Sequence, residues 1–207
     1  AGRQARKAKV KKDLMAMADG MLKIAAARTL KKTEPIEIPS ETYNKFAAKF
    51  PYAETDDQER AIEDTLDSMA GTHPMDRLVC GDVGVGKTEV AIRAAYVAAM
   101  DGYQVAVVAP TTLLARQHYI NFMNRFEGTG LRIDQLSRMV SAKDATATKE
   151  AMKDGSVNIV IGTHALFGKG IDFNNLGLLI IDEEQRFGVK QKERIKELKS
   201  NVHVLTL

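Results

Sequence analysis

Five short apolar runs recur between segments of helical periodicity, and that alternation constrains the chain more than any other feature. The runs are RLVC at 77–80, QVAVVAP at 104–110, NIVIGT at 158–163, LGLLIIDE at 176–183 and VHVLTL at 202–207. Each is long enough for a buried strand and short for a helix. Residues 131–136 suggest one further short strand. Helix-like segments lie at 56–69, 87–100, 112–126, 145–154 and 190–198. Strands that are apolar throughout, alternating with helices, predict a largely parallel sheet covered on both faces. The expected architecture is therefore a three-layer α/β domain, and 207 residues are enough to bury its core.

The single cysteine, Cys80, excludes an internal disulfide and points to a reducing compartment. It is expected to pack in the core, as free cysteine commonly does. No run approaches the ~18 apolar residues of a membrane span, and no apolar segment follows the basic start as a signal peptide would require. Opening on Ala rather than Met, and stopping inside a strand-like run, the sequence is expected to be a piece of a longer protein.

A net charge of +3 conceals an asymmetry. Residues 1–32 carry ten Lys and Arg against Asp13 and Asp19, a net of +8. The remainder holds 20 basic and 25 acidic residues, a net of −5. Val10, Leu14, Met17, Met21 and Ile24 alternate spacings of four and three, which predicts one helix with an apolar stripe. It reads first as a linker helix whose stripe packs on a neighbouring domain, and second as a nucleic-acid-binding arm. Pro35 and Pro39 mark the boundary that follows.

Directly after the first run stands Gly81-Asp82-Val83-Gly84-Val85-Gly86-Lys87-Thr88, which fits G-x-x-x-x-G-K-[ST]. Its glycines let successive N–H groups turn inward on phosphate oxygens, at the positive end of the helix that follows. Lys87 would reach the β- and γ-phosphates, and Thr88 would offer a hydroxyl to Mg²⁺. LGLLIIDE delivers Asp182 and Glu183 at the C-terminal end of a strand, the end where open parallel sheets bind ligands. Asp182 would hold the metal through its water shell, and Glu183 would activate a water for attack on the γ-phosphate. The expected ligands are a nucleoside triphosphate, which the resemblance below makes ATP, and Mg²⁺.

These motifs, with PTTLLARQ at 110–117 and IGTH at 161–164, resemble the superfamily-two helicases and translocases in content and order. MDRLVCGDVGVGKTEVA, PTTLLARQHY and DEEQRFGVKQKER are similar to the bacterial transcription-repair coupling factor family. The RecG fork-remodelling helicases are near neighbours, but they usually carry DEQH where this chain has Asp182-Glu183-Glu184-Gln185. The resemblance implies a RecA-like lobe of the P-loop NTPase kind over residues 50–207, preceded by a connector at 33–49 and the basic linker helix at 1–32. It implies that the chain stops before the family's Thr-Ala-Thr-Pro motif and lacks the second motor lobe.

The resemblance also assigns residues. Gln58 matches the glutamine that reads adenine, since an amide offers donor and acceptor side by side. The alternative is an exposed helix-start residue behind an aspartate cap. Phe50 would pack against the base, while Glu89 and Gln185 complete the expected nucleotide set. Thr111, Thr112, Gln117, Ser137, Arg138, Thr163 and His164 fall where relatives grip the DNA backbone; Arg116 stands beside them and would either add charge or sit on a solvated helix face. Arg186 would couple the two sites or form a salt bridge. The implied parent is an ATP-driven double-stranded DNA translocase of the bacterial cytoplasm. It would act on stalled RNA polymerase and recruit excision-repair proteins through domains absent here. A fork-remodelling helicase and a nucleotide-dependent switch without motor activity are the alternatives. With no second lobe, little ATP turnover is expected of the chain itself.

Overall fold

The computed structural model describes residues 2–30, 32–81, 85–199 and 202–207. Asp82, Val83 and Gly84 of the phosphate loop lie outside the described residues, as do the side chains of Val85, Met21 and Ile24. Six parallel strands form one sheet: β1 (Asp76–Leu78), β2 (Gln104–Val108), β3 (Ile133–Leu136), β4 (Ile159–Gly162), β5 (Leu176–Ile181) and β6 (His203–Thr206). Their spatial order is β1-β6-β5-β2-β4-β3. The helices are α1 (Gly2–Leu30), α2 (Ser40–Ala48), α3 (Asp56–Met69), α4 (Val85–Met100), α5 (Thr112–Arg125), α6 (Ala142–Asp154) and α7 (Val189–Lys199).

The four inner strands, β6, β5, β2 and β4, are buried along nearly their whole length because both of their faces are covered, whereas β1 and β3 at the edges carry polar residues. Along β5, Leu178 and Ile180 point into one core with Val105, Val107, Ile159 and Leu205. Leu179 and Ile181 point into the other with Ala106, Val108, Val160 and Val204. That is the two-residue period of a pleated strand. Helices α2, α3, α4 and α5 cover the first face and α6 and α7 the second. Each fully buried Leu or Ile contributes roughly 1.5–3 kcal/mol through removal from water.

One expectation needs correcting, and two segments gain detail. Cys80 is exposed. The first run becomes one of the two edge strands among the described strands, and its last hydrogen bond to β6 runs from Val79 N to Thr206 O. Val79 alone turns inward, so Cys80 lies beyond the core at the lip of a cleft. The segment read only as a connector contains α2, whose Phe46 is 2% exposed and stacks on Tyr96 at 4.0 Å. The stripe on α1 is uncovered where its side chains are described, with Val10, Leu14 and Met17 all more than half exposed. Among the described residues no helix is long and apolar enough to cross a membrane.

Candidate functional site

Parallel strands send all their C-terminal ends to one edge, and the strand order spreads the expected residues along it. β1 leads into Gly81 and β5 into Asp182, with β6 between them. Two strand steps correspond to roughly 10 Å. Next comes β2 with Thr111 and Thr112, then β4 with Thr163 and His164, then β3 with Ser137 and Arg138. The phosphate loop and the carboxylates thus share an edge with the residues assigned to DNA.

At the first end, Gly81, Gly86, Lys87 and Gln58 line a cleft of about 600 Å³. The Lys87 chain folds back over Gly81, its Cε 3.8 Å from where a Cβ there would stand. Gln58 is not behind an aspartate cap. Thr55 caps α3, its hydroxyl accepting from Gln58 N at 3.2 Å, while Gln58 Oε1 accepts from Thr55 N at 2.9 Å. That reciprocal box aims the Gln58 amide nitrogen at Gly86.

Each carboxylate after β5 has a basic partner. Asp182 N donates to Val108 O at 2.9 Å, and its Oδ2 lies 2.7 Å from His118 Nε2. Glu183 Oε2 accepts from Arg186 at 2.8 Å, the bland role weighed for that arginine. Glu184 accepts from Lys199 at 3.0 Å. Glu183 is the one non-glycine with a left-handed backbone among the described residues, at φ 47 and ψ 54. Such strain tends to gather at functional sites. Gln185 is exposed.

The donor set suits magnesium held on a triphosphate. Mg²⁺ takes one or two protein ligands together with phosphate oxygens and water rather than an all-protein cage. Among the described residues no cluster of three His, Cys, Asp or Glu could hold a metal alone. Asp182 Oδ1 and the Thr88 hydroxyl are the oxygens that chemistry needs.

At the far end, several assigned hydroxyls already serve the backbone. Thr111 Oγ1 accepts from Leu114 N at 3.2 Å as the cap of α5. Ser137 Oγ accepts from Met139 N at 3.2 Å. Thr163 is buried and accepts from Ala165 N at 3.5 Å. Arg116, Gln117, Arg138 and His164 are exposed, and Thr112 is half-buried.

The sequence profile of the DEAD/DEAH box helicases matches residues 55–206, which span both ends of this edge. The chain belongs to the DEAD/DEAH box helicase family. Within that family it is 50% identical over 205 residues to the transcription-repair-coupling factor of Rickettsia prowazekii (strain Madrid E), covering 97% of this chain and 18% of that protein. It is 50% identical over 201 residues to the factor of Bacillus subtilis (strain 168), with shares of 97% and 17%. A solved RecG structure, bound to a three-way DNA junction, superposes with a TM-score of 0.78 at 33% identity. That match covers 89% of this chain and 25% of the RecG chain. The chain thus spans less than a fifth of the length of these curated relatives.

In this helicase lobe, Glu89, Phe50 and Thr88, all assigned to nucleotide, line a cleft other than that of Lys87. Glu89 is 2% exposed and accepts from Arg93 at 2.9 Å and from Arg125 at 2.6 Å. Arg93 also donates to Glu54. That hydrogen bond, outweighing the slight desolvation, holds the Glu54 carboxyl below its ordinary value of 4.5. Phe50 lies under the Arg93 guanidinium at 5.7 Å and, with Thr88, lines a second cleft of about 650 Å³. A pair of buried arginines shared between two acids is a structural clamp of α2, α4 and α5.

His118 was missed in the sequence. On its own it reads as one more residue of PTTLLARQHY. The signal available was its position at i+3 from Ala115 and i−4 from Phe122, the inward face of α5, where a polar side chain needs a partner.

Proposed function

We propose that this chain is the first, ATP-binding motor lobe of an ATP-driven double-stranded DNA translocase. Its role would be to displace stalled RNA polymerase and couple transcription to excision repair. The observation that carries the reading is the shared sheet edge, with Gly81, Lys87 and Asp182 at one end and Thr111, Thr163 and Arg138 further along it. Half identity to coupling factors over nearly the whole chain supports the choice within the family. Residues 1–32 would be the linker helix, 33–49 the connector and 50–207 the lobe, working in the bacterial cytoplasm.

Lys87 would bind the β- and γ-phosphates, and Gln58 would read adenine from the same cleft. Thr88 and Asp182 would hold Mg²⁺, which when bound neutralises charge on the phosphates. Glu183 would orient the attacking water and accept its proton, which requires its carboxylate to leave Arg186. Gln117, Arg138 and His164 would hold one strand through its phosphates, indifferent to sequence. The second lobe would supply the arginine that completes the ATP site, an element worth on the order of 10³–10⁵ in rate in other systems. Contacts with RNA polymerase and repair proteins would belong to other domains.

Steady-state ATP turnover tests this, measured for the chain alone and joined to a second lobe, with and without duplex DNA. The joined protein should be DNA-stimulated and should displace a triplex strand without unwinding the duplex. Turnover of the chain alone within about threefold of the joined protein would contradict the reading. Likeness to RecG favours fork remodelling as the second reading. That enzyme would prefer branched DNA, and a simple nucleotide switch would show no stimulation.

A further inference from the structure

The metal-holding carboxylate is gripped from a helix with no assigned part in the ATP site. His118 lies on α5, 8% exposed, on the face it shares with Ala115 and Phe122. Its Nε2 is 2.7 Å from Asp182 Oδ2. A carboxylate only accepts, so this nitrogen carries the hydrogen and donates. Asp182 is therefore held twice, by its own N–H on Val108 O and by its side chain on His118. One oxygen is occupied and Oδ1 is left over.

We propose that His118 is a positioning residue for the magnesium site. It fixes the rotamer of Asp182 through Oδ2, leaving Oδ1 for the metal, and it makes α5 part of that site. The inference rests on the reading of Asp182 as the metal-holding carboxylate. The need for a long side chain ending in an N–H donor follows from the geometry. Position 118 is two helical turns beyond the cap at Thr111, a rise of roughly 10 Å along α5. From there a side chain must cross from α5 to the end of β5. An apolar residue would fill the space and leave the carboxylate unheld. A glutamine could also reach it and would present an N–H donor.

The same helix starts at Thr111 and Thr112 and exposes Gln117, the residues proposed to meet DNA. A shift of α5 on the strand would move His118, and the orientation of Asp182 would follow. Hydrogen-bonded partners behind a metal ligand commonly control metal affinity by 10–100-fold.

Binding of a fluorescent ATP analogue to this chain is measured with Mg²⁺ and with the metal chelated. Melting temperature is recorded alongside. The quantity of interest is the gain in affinity that Mg²⁺ brings. His118→Ala should lower that gain about tenfold while leaving affinity in chelator unchanged, and His118→Gln should restore most of it. A purely packing role would lower the melting temperature and shift both affinities together. His118→Ala and His118→Gln both retaining the full magnesium gain would overturn the proposal. So would a loss in chelator equal to the loss with metal. If His118→Ala does not fold, His118→Gln decides, since it must then keep the gain to within about threefold. Lys87→Ala separates the failures. Should the unsubstituted chain bind no nucleotide, or Lys87→Ala bind it equally well, the ATP-site reading falls and the inference with it. Should Lys87→Ala abolish binding while His118→Ala changes nothing, only the inference falls.

Discussion

The amide nitrogen of Gln58 sits over Gly86, 2.6 Å from where a Cβ on that glycine would stand. The residue proposed to read adenine thus packs directly on the glycine before Lys87, an approach that position 86 allows because it has no side chain. In Gly86→Ala the group that must yield is the far end of a flexible side chain. Folding stability should therefore stay within about 1 kcal/mol of the unsubstituted chain. Gln58 should be pushed off its box with Thr55, and the preference for ATP over GTP should shrink. Competition binding with the two nucleotides checks this, and an unchanged preference would dissociate Gln58 from base recognition.

Glu89 is the hub of a buried cluster. Its two oxygens take Arg93 and Arg125, whose side chains are 7% and 9% exposed. Arg125 also stands over the Phe46 ring at 4.2 Å, so the cluster ties α2 to α4 and α5. Removing one partner of a buried ion pair leaves an uncompensated charge. Glu89→Ala should cost about 3–5 kcal/mol, read as a shift in the urea midpoint at unchanged slope. A loss under about 1 kcal/mol would mean that the arginines find other partners.

The strands and most helices were legible because their cause is local. Leu178 to Ile181 are buried on both faces, so apolarity alone marks them. α3 was readable over 56–69 from its polar start and inward stripe of Ile62, Leu66 and Met69. What stayed hidden depends on contacts far along the chain. α2 reads as SETYNKFAA, mostly polar, and is held by Phe46 on Tyr96, 50 residues away. His118 acquires its meaning from Asp182, 64 residues on. Glu89 and Arg93 show the spacing of a helical ion pair, but nothing in that spacing distinguishes a solvated pair from the buried one found here. The apolarity of RLVC did not reveal an edge strand, and so Cys80 was misplaced.

Acid should loosen the same cluster from its rim. The Glu54 carboxyl titrates below 4.5 in the folded chain, chiefly because Arg93 donates to it. The unfolded chain then binds more protons than the folded one in that region. The stability Glu54 contributes is complete above about pH 4.5 and is lost as pH falls through its folded value. Glu54→Gln should flatten the fall of the urea midpoint between about pH 5 and 3 relative to the unsubstituted chain. Parallel curves for the two proteins would remove Glu54 as a source of acid sensitivity.

Gly162 closes β4 against β3. A Cβ at that position would stand 2.2 Å from the carbonyl oxygen of Leu136, its register partner, and 3.1 Å from Leu166 Cγ. Here the obstacle is backbone, and it cannot swing aside as Gln58 can. Gly162 O also accepts from Ala109 N at 2.9 Å, so β2 resists movement on the other side. Gly162→Ala should therefore cost about 1–3 kcal/mol through displaced strands. The strain falls directly before Thr163 and His164 and beside Ser137, three strand positions or more from β1. DNA affinity should drop several-fold more than Mg-ATP affinity, measured on the same preparation at matched salt. Equal losses of both would show that the two ends of the sheet edge do not yield independently.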